Sequence, residues 1–290
     1  MFFSGILPLA DSANGRLYAD FVSAFMIILP LAGLALFIYW AAKNKFGKGT
    51  LDNAAFRRNF MPYYLPFAVI LVWLGLTFAA SNLAESLTAQ IPDWQQKFAV
   101  FSFLIVIEVI IIIFVLASAK KYFVQGLSGF GLRTEGVFGD IITAAAIFIA
   151  VWPLVLGAFF LVVKIGIALE GPDFQMQQNE GLAVILENKQ LSLRILTIFF
   201  ATIITPVFEE LIFRGLLQSY LRDIGYGPWR AVFIASIIFS VFHPLMHLPA
   251  LLVLSIAMGY AYEKSGSLSR SIFIHFFFNS ASIAFALLGS

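Results

Sequence analysis

The sequence predicts an all-α protein, a polytopic membrane helix bundle of about eight transmembrane helices. Of its 290 residues, 61% are hydrophobic and 12% are charged, and this charged fraction is about half of that in soluble globular domains. The mean hydropathy is +0.93. Apolar runs also recur at roughly the 20-residue length that a helix needs to cross the hydrocarbon core.

Eight apolar segments of the chain are the predicted membrane spans. They cover residues 21–42, 63–80, 98–119, 141–163, 191–217, 229–242, 248–262 and 269–288. The sixth and seventh are short, and Pro244 and Pro249 interrupt the chain there. We expect residues 1–290 to form a single membrane domain, in which residues 1–190 carry four spans of unassigned role.

The composition excludes several kinds of function. The formal net charge of +2 at pH 7 does not indicate nucleic-acid binding. The chain has no cysteine, so it can form neither a disulfide nor a thiolate metal site, and it has no thiol nucleophile.

The distribution of lysine and arginine predicts the orientation of the bundle. Thirteen of the 18 basic residues lie in the loops after the first, third, fifth and seventh spans or at the span ends next to these loops, and loops rich in such residues usually face the cytoplasm. Both termini should therefore lie outside, whereas the loops that follow Glu210 and precede His275 should lie inside.

Two adjacent acids, Glu209 and Glu210, interrupt the fifth span. A charged side chain near the bilayer centre costs roughly 2.5–3.5 kcal/mol, so such residues suggest a function. Glu210 and Arg214 are spaced (i, i+4) with the acid first and can neutralise each other, whereas Glu209 is turned about 100° away and can face a cavity. Pro206 should kink the helix just before the pair. In a purely structural alternative, both acids extend from a helix end and hold a neighbouring segment.

All three histidines, His243, His247 and His275, follow the acidic pair. His275 and Asn279 are spaced (i, i+4) and share a helix face. At about 1.5 Å per residue, Glu209 and His275 both lie about 8 Å inside the inner edge of the membrane core. His243 reaches a similar depth if the helix that carries Glu209 continues beyond the bilayer. Each histidine alone fits a structural role, but together they predict a polar pocket about 10 Å inside the cytoplasmic face.

One further acid, Glu108, lies in the middle of the third span. It either pairs across the bundle or contributes to a polar cavity. We favour a structural role, although the sequence does not identify its partner.

Three motifs in the last third of the chain resemble those of a known protein family. They are Glu209-Glu210-x-x-x-Arg214, Phe239-x-x-x-His243 and His275-x-x-x-Asn279, in that order. Together they look like the motifs of the CPBP (Abi) intramembrane proteases, a family that includes the type II CAAX prenyl endopeptidases. The resemblance covers residues 191–288, so that 191–290 would be a CPBP-like catalytic core.

The resemblance implies a mechanism of peptide hydrolysis. Glu209 would be the general base that activates water, His243 and His275 would hold that water, and Asn279 would help to stabilise the oxyanion. This chemistry is physically reasonable, because burial raises the pKa of a carboxylic acid toward neutrality and a buried amide donor stabilises developing negative charge.

The other polar residues of this region have supporting roles in this interpretation. Glu210 and Arg214 also match the first motif, and we interpret them as a supporting ion pair. His247 is outside the motifs, and we expect it to be structural.

The expected function is that of an intramembrane endopeptidase acting on a hydrophobic substrate, with a prenylated CAAX-type substrate as one option. We expect no cofactor. The expected partners are a hydrophobic or lipidated peptide or protein and membrane lipid, but no nucleic acid. Prokaryotic members of the family suggest a prokaryotic cytoplasmic membrane, with the active site toward the cytoplasmic face.

Three alternatives stay open from the sequence. Glu209, His243 and His275 could be zinc ligands of a metal-dependent hydrolase, with a fourth position for water. Residues 126–129 have the G-x-S-G pattern of rhomboid-type serine proteases, but in a polar loop. A transporter or a non-catalytic membrane binder could also contain buried Glu and His.

Overall fold

The computed structural model describes residues 13–288 apart from residues 55 and 89, and it describes side chains from Ile27 onward apart from these two and residue 85. The first twelve and last two residues of the predicted domain therefore lie outside the described residues. Within the described range the regular structure is helical without any β-strand, and one isolated antiparallel bridge joins Asn59 and Phe123. The predicted all-α class is confirmed.

The described residues form helices that we number in chain order. They are α1 (Ala13–Lys43), α2 (Leu65–Thr88), α3 (Asp93–Tyr122), α4 (Gly126–Gly129), α5 (Val137–Glu170), α6 (Glu180–Glu187), α7 (Leu191–Asp223), α8 (Pro228–Val241), α9 (Leu248–Ser265) and α10 (Leu268–Leu288). Short 3-10 turns occur at Lys45–Gly47, after α1, and at Leu245–His247, before α9.

Six of these helices are long and apolar enough to cross a membrane. They are α2, α3, α5, α7, α10 and α9, the last counted with its preceding turn. Helix α8 and the part of α1 from Ile27 to Lys43 are apolar but shorter. Each of the eight predicted spans falls on one of these helices, so the membrane helix bundle is confirmed.

Large apolar side chains point outward from the middle of these helices. Phe78 of α2 is 72% exposed and Ile113 of α3 is 62% exposed. Helices can expose such surfaces in hydrocarbon because their backbone hydrogen bonds are satisfied internally. This surface is therefore the one that contacts lipid.

The core of the bundle surrounds the middle of α7. Helix α5 packs against α1, α9 and α10, while α2 and α3 pack against each other and against α7. The rings of Trp73 on α2 and Phe208 on α7 lie 5.2 Å apart between centroids, and Phe213 makes an edge contact at 5.3 Å with Phe239 of α8. The acidic pair thus lies between buried aromatic residues.

Helix α7 is long and irregular. Its 33 residues correspond to a length of about 50 Å, which exceeds the roughly 30 Å of a hydrocarbon core. The helix can therefore continue beyond the bilayer, as the depth of His243 required. Two π-helical segments, Phe200–Ile204 and Leu211–Gln218, flank the α-helical segment Thr205–Glu210. A π-helical segment therefore ends just before Pro206, where the sequence predicted a kink.

Buried or partly buried ion pairs connect the N-terminal half to the loops around α9 and α10. Arg57, in the loop before α2, lies 2.8 Å from Glu263 near the end of α9. Asp140, in the first turn of α5, lies 2.7 Å from Arg270 at the start of α10. These pairs tie the N-terminal half of the chain to α9 and to α10, the helix that carries His275 and Asn279.

Candidate active site

The carboxylate of Glu209 lies between two imidazole rings. Its Oε1 is 3.9 Å from Nε2 of His243, and its Oε2 is 3.7 Å from Nε2 of His275. Glu209 is only 6% exposed. Both distances are too long for a direct hydrogen bond, and a small group beside the line that joins each pair of atoms can hydrogen-bond to both of them. Three residues that are separated by up to 66 positions in sequence therefore converge.

The hydrogen bonds of the two histidines determine which ring nitrogen carries the proton. Nδ1 of His243 lies 3.0 Å from the carbonyl oxygen of Phe239, which can only accept, so Nδ1 is the donor. Nδ1 of His275 lies 3.0 Å from Oε1 of Glu210, which is paired with Arg214, so this Nδ1 donates as well. With Nδ1 as the donor, Nε2 is the ring nitrogen that faces Glu209 in both histidines, and in a neutral ring it carries the lone pair.

The protonation state of His243 follows from its position in the turn after α8. Burial lowers the pKa of His243 below its ordinary value, although its hydrogen bond to the Phe239 carbonyl opposes this effect. The neutral form is therefore favoured at neutral pH. A neutral imidazole can accept a hydrogen bond at Nε2.

The site thus combines three hydrogen-bond acceptors that face one another. Oε2 of Glu209 has no hydrogen-bond partner among the described residues, although it is buried. A buried acceptor without a partner is unfavourable by about 1–3 kcal/mol. A group that donates to Glu209 and to an imidazole, as a water molecule can, fits the chemistry of this arrangement.

The second acid, Glu210, is fully buried and accepts hydrogen bonds from three side chains. Its donors are Arg214 Nη1 at 2.9 Å, Ser271 Oγ at 2.6 Å and His275 Nδ1 at 3.0 Å. The expected pairing of Glu210 with Arg214 is therefore present. Glu210 also fixes the tautomer and the ring orientation of His275.

Arg214 is itself held on several sides. Nη2 donates to the Oγ of Ser255 at 2.7 Å, and the guanidinium lies 4.4 Å from the centroid of the Phe239 ring. Ser255 and Ser271 were not identified as site residues from the sequence. A signal for Ser271 exists, because it lies one turn before His275 on the same helix face.

The comparison with known proteins bears on this part of the chain. Residues 191–281 match the model of a family described as Rce1-like, the type II CAAX prenyl endopeptidase Rce1-like family. The predicted resemblance to the CAAX proteases is confirmed. A search of curated proteins found no match, and a search of solved structures found none either.

The CAAX protease match covers α7, α8, α9 and most of α10, and it contains all the residues of the three motifs. This family implies a CAAX-type intramembrane endopeptidase in general. Residues 1–190 are outside the match.

Asn279, the expected oxyanion donor, contacts the backbone of α7. Its Nδ2 donates to the carbonyl oxygen of Ala201 at 2.7 Å. This carbonyl is available because the N–H of Thr205 bonds to Phe200 and residue 206 is a proline without an N–H. The sequence predicts the shared face of His275 and Asn279, but it does not predict this contact.

Glu108 of α3 is also directed toward this region. It is 4% exposed, and its Oε2 accepts a hydrogen bond from Thr205 Oγ1 at 3.1 Å. Thr205 lies one turn before Glu209 on the same face of α7. The partner that the sequence left unidentified is therefore a residue of the helix that carries the acidic pair.

The other candidate residues lie apart from this site. Nε2 of His247 donates a hydrogen bond to the carbonyl oxygen of Gln177 at 2.8 Å. Ser128 of the G-x-S-G pattern lies in the short helix α4, and no imidazole or carboxylate of the described residues is hydrogen-bonded to it. As placed, the described His, Asp and Glu side chains form no group of three in a metal-binding arrangement.

Proposed function

We propose that the protein is an intramembrane endopeptidase in which Glu209 activates a water molecule to cleave a peptide bond of a hydrophobic substrate. The observation that carries this proposal is the position of the Glu209 carboxylate between the Nε2 atoms of His243 and His275, at 3.9 and 3.7 Å. Three acceptors in this arrangement suit a water molecule whose proton is to be removed.

The reaction begins with proton transfer from water to Glu209. As the proton moves, the water oxygen forms a bond to the carbonyl carbon of the substrate, and the second hydrogen stays on that oxygen and donates a hydrogen bond to Nε2 of an imidazole. The carbonyl oxygen becomes an oxyanion. When the tetrahedral intermediate collapses, the C–N bond breaks and the proton held by Glu209 passes to the leaving amine nitrogen.

Glu210 and Arg214 act by orienting His275 rather than by touching the substrate. A base or an oriented imidazole is commonly held by a third group that fixes its ring. Here Glu210 accepts a hydrogen bond from Nδ1 of His275, and Arg214 and Ser271 hold Glu210 in turn. Nε2 of His275 is therefore kept as an acceptor that faces Glu209.

Asn279 is the proposed donor to the oxyanion. Its amide nitrogen carries two hydrogens, and the bond to the Ala201 carbonyl uses one of them. The second can be donated to a substrate oxygen. An oxyanion donor of this kind contributes a factor of about 10²–10³ to the rate of acyl transfer.

The proposed substrate is a hydrophobic peptide or protein, with a prenyl group near its C-terminus as in CAAX-type substrates. Helices with apolar outer surfaces surround the site, so a lipidated segment can approach from the membrane. Proposed partners are this substrate and membrane lipid. The distribution of basic residues supports an active site toward the cytoplasmic face. The proposed prokaryotic membrane rests on the resemblance to a family with prokaryotic members.

A zinc-dependent version of the same hydrolase is the alternative mechanism. Its ligands would be Glu209, His243 and His275, whose facing oxygen and nitrogen atoms are of the types that zinc prefers. Among the described residues, no three His, Asp or Glu side chains lie in an arrangement that could hold a metal ion. We therefore base no catalytic step on a metal.

The proposal can be tested with the purified protein in lipid nanodiscs. The probe is an internally quenched fluorescent peptide that ends in a farnesylated CAAX sequence, together with the same peptide without the farnesyl group. Cleavage by the wild type and loss of cleavage in Glu209→Gln are expected. Glu187→Gln, the same substitution at an exposed acid in α6, is the matched control.

Two results would contradict the proposal. The first is an undiminished cleavage rate in a folded Glu209→Gln protein. The second is binding of the farnesylated peptide without cleavage by the wild type, which would favour a non-catalytic membrane binder.

A further inference from the structure

Glu108 is a buried acid that the proposed mechanism does not use. It lies in the middle of α3, is 4% exposed, and is outside the residues that match the CAAX protease family. A carboxyl group within a membrane helix is energetically costly and indicates a function by default. Its hydrogen-bond partner is the hydroxyl of Thr205 on α7, at 3.1 Å.

Thr205 differs from two other threonines of the same helix. Thr197 donates to the carbonyl of Leu193 at 2.9 Å, and Thr202 donates to the carbonyl of Ile198 at 2.7 Å. This bond to the carbonyl four residues earlier is the usual one for a threonine within a helix. Thr205 instead donates to Glu108 on another helix.

The carbonyl that Thr205 would otherwise use has a different side-chain partner. That carbonyl belongs to Ala201, and it accepts a hydrogen bond from Asn279 of α10 at 2.7 Å. The backbone cannot supply this bond, because the N–H of Thr205 bonds to Phe200 in the π turn and residue 206 is a proline. The turn before Glu209 thus lacks part of its backbone hydrogen bonding and is held by side chains.

These side chains come from two different helices. Asn279 of α10 holds Ala201, and Glu108 of α3 holds Thr205. Glu209 lies four residues after Thr205 on the same helix face. A shift of this turn would therefore move the Glu209 carboxylate relative to the imidazoles of His243 and His275.

We propose that Glu108 is a positioning residue of the active site, whose hydrogen bond with Thr205 fixes the turn of α7 that carries Glu209. The carboxyl groups of Glu108 and Glu209 are also close enough to interact electrostatically. This inference rests on the proposed function, because it assigns Glu108 to the same site. It gives α3, and with it the N-terminal half of the chain, a part in catalysis.

The experiment removes either side of the hydrogen bond. Glu108→Leu and Thr205→Val each abolish it, whereas Glu108→Gln keeps an acceptor and Thr205→Ser keeps the hydroxyl. Thr197→Val removes a buried threonine hydroxyl from the same helix, away from this turn, and is the matched control. The values of kcat and KM are measured for all variants in nanodiscs with the farnesylated quenched peptide.

A misplacement of the base should lower the rate of the chemical step rather than substrate binding. We expect Glu108→Leu and Thr205→Val each to lower kcat by about 10- to 100-fold with KM nearly unchanged. The two conservative variants should stay within about threefold of the wild type, and the double variant should be no slower than the slower single one. Thr197→Val should retain the wild-type kcat.

Two kinetic results would overturn the inference. One is an unchanged kcat in Glu108→Leu or in Thr205→Val. The other is a loss in Glu108→Gln as large as in Glu108→Leu, which would show that the charge of the carboxylate matters and the hydrogen bond does not.

A second measurement keeps this inference separate from the proposed function. If the wild type cleaves neither peptide, the endopeptidase proposal fails, but amide hydrogen exchange of residues 200–210 still reports on the turn. Faster exchange there in Glu108→Leu and Thr205→Val than in Thr197→Val is expected. Equal exchange in all three variants would show that Glu108 does not hold this turn.

Discussion

Oε1 of Glu210 accepts a hydrogen bond from Nδ1 of His275 at 3.0 Å, so the second acid of the pair holds one of the two imidazoles that face the first. The two adjacent acids therefore have different partners. Glu210 is surrounded by donors, while Oε2 of Glu209 has none among the described residues. Glu210 therefore positions His275, whereas Glu209 faces the two imidazoles with an oxygen that is unpaired within the described residues.

Replacement of either imidazole by alanine should abolish turnover. His243→Ala and His275→Ala each remove one of the two Nε2 atoms near Glu209, and the water would lose a hydrogen-bond partner. The measurement is the initial rate of cleavage of the quenched farnesylated peptide. His247→Ala is the control, because its ring bonds to the backbone of Gln177, and it should retain cleavage. Full activity in either active-site variant would remove that histidine from the mechanism.

Asn279→Ala should lower kcat by roughly 10²–10³ if the amide donates to the oxyanion. KM should change little, because the oxyanion forms only in the transition state. Steady-state kinetics with the same peptide measure both values. A rise in KM alone would instead indicate that Asn279 binds the substrate in its ground state.

Glu210→Gln should damage folding more than chemistry. The substitution leaves Arg214, which is 1% exposed, without its charge partner. Removing one partner of a buried ion pair typically costs about 3–5 kcal/mol. The midpoint of thermal unfolding in nanodiscs should therefore fall clearly.

A second substitution provides the control for this interpretation. Glu210→Gln combined with Arg214→Met removes both charges, and it should recover much of the lost stability because no unpaired charge is left. A double variant as unstable as Glu210→Gln alone would show that the loss comes from the contacts to His275 and Ser271 rather than from Arg214.

Metal chelators should leave cleavage unchanged if Glu209 acts as a base without zinc. The protein is incubated with 1,10-phenanthroline, and the rate of peptide cleavage is then measured. The metal content of the purified protein is measured as well. The matched control is the non-chelating isomer 1,7-phenanthroline. Inhibition by the chelator that added zinc reverses would favour the zinc-dependent hydrolase.

The sequence was sufficient to predict the helical bundle and the resemblance to the CAAX proteases. The spans are readable because each helix must satisfy its own backbone in lipid and therefore needs a long apolar run. The pair of Glu210 and Arg214 is readable because residues four apart share one helix face. The three motifs were likewise visible as residue types at fixed spacings.

The tertiary structure alone decided which distant groups meet. The contacts of Glu209 with His243 and His275, of Glu108 with Thr205 and of Asn279 with Ala201 join different helices. Spacing along one helix cannot predict them, because they depend on how the helices pack and rotate against each other. The Ala201 carbonyl became available only through a π turn next to Pro206, a distortion whose form local propensity does not specify.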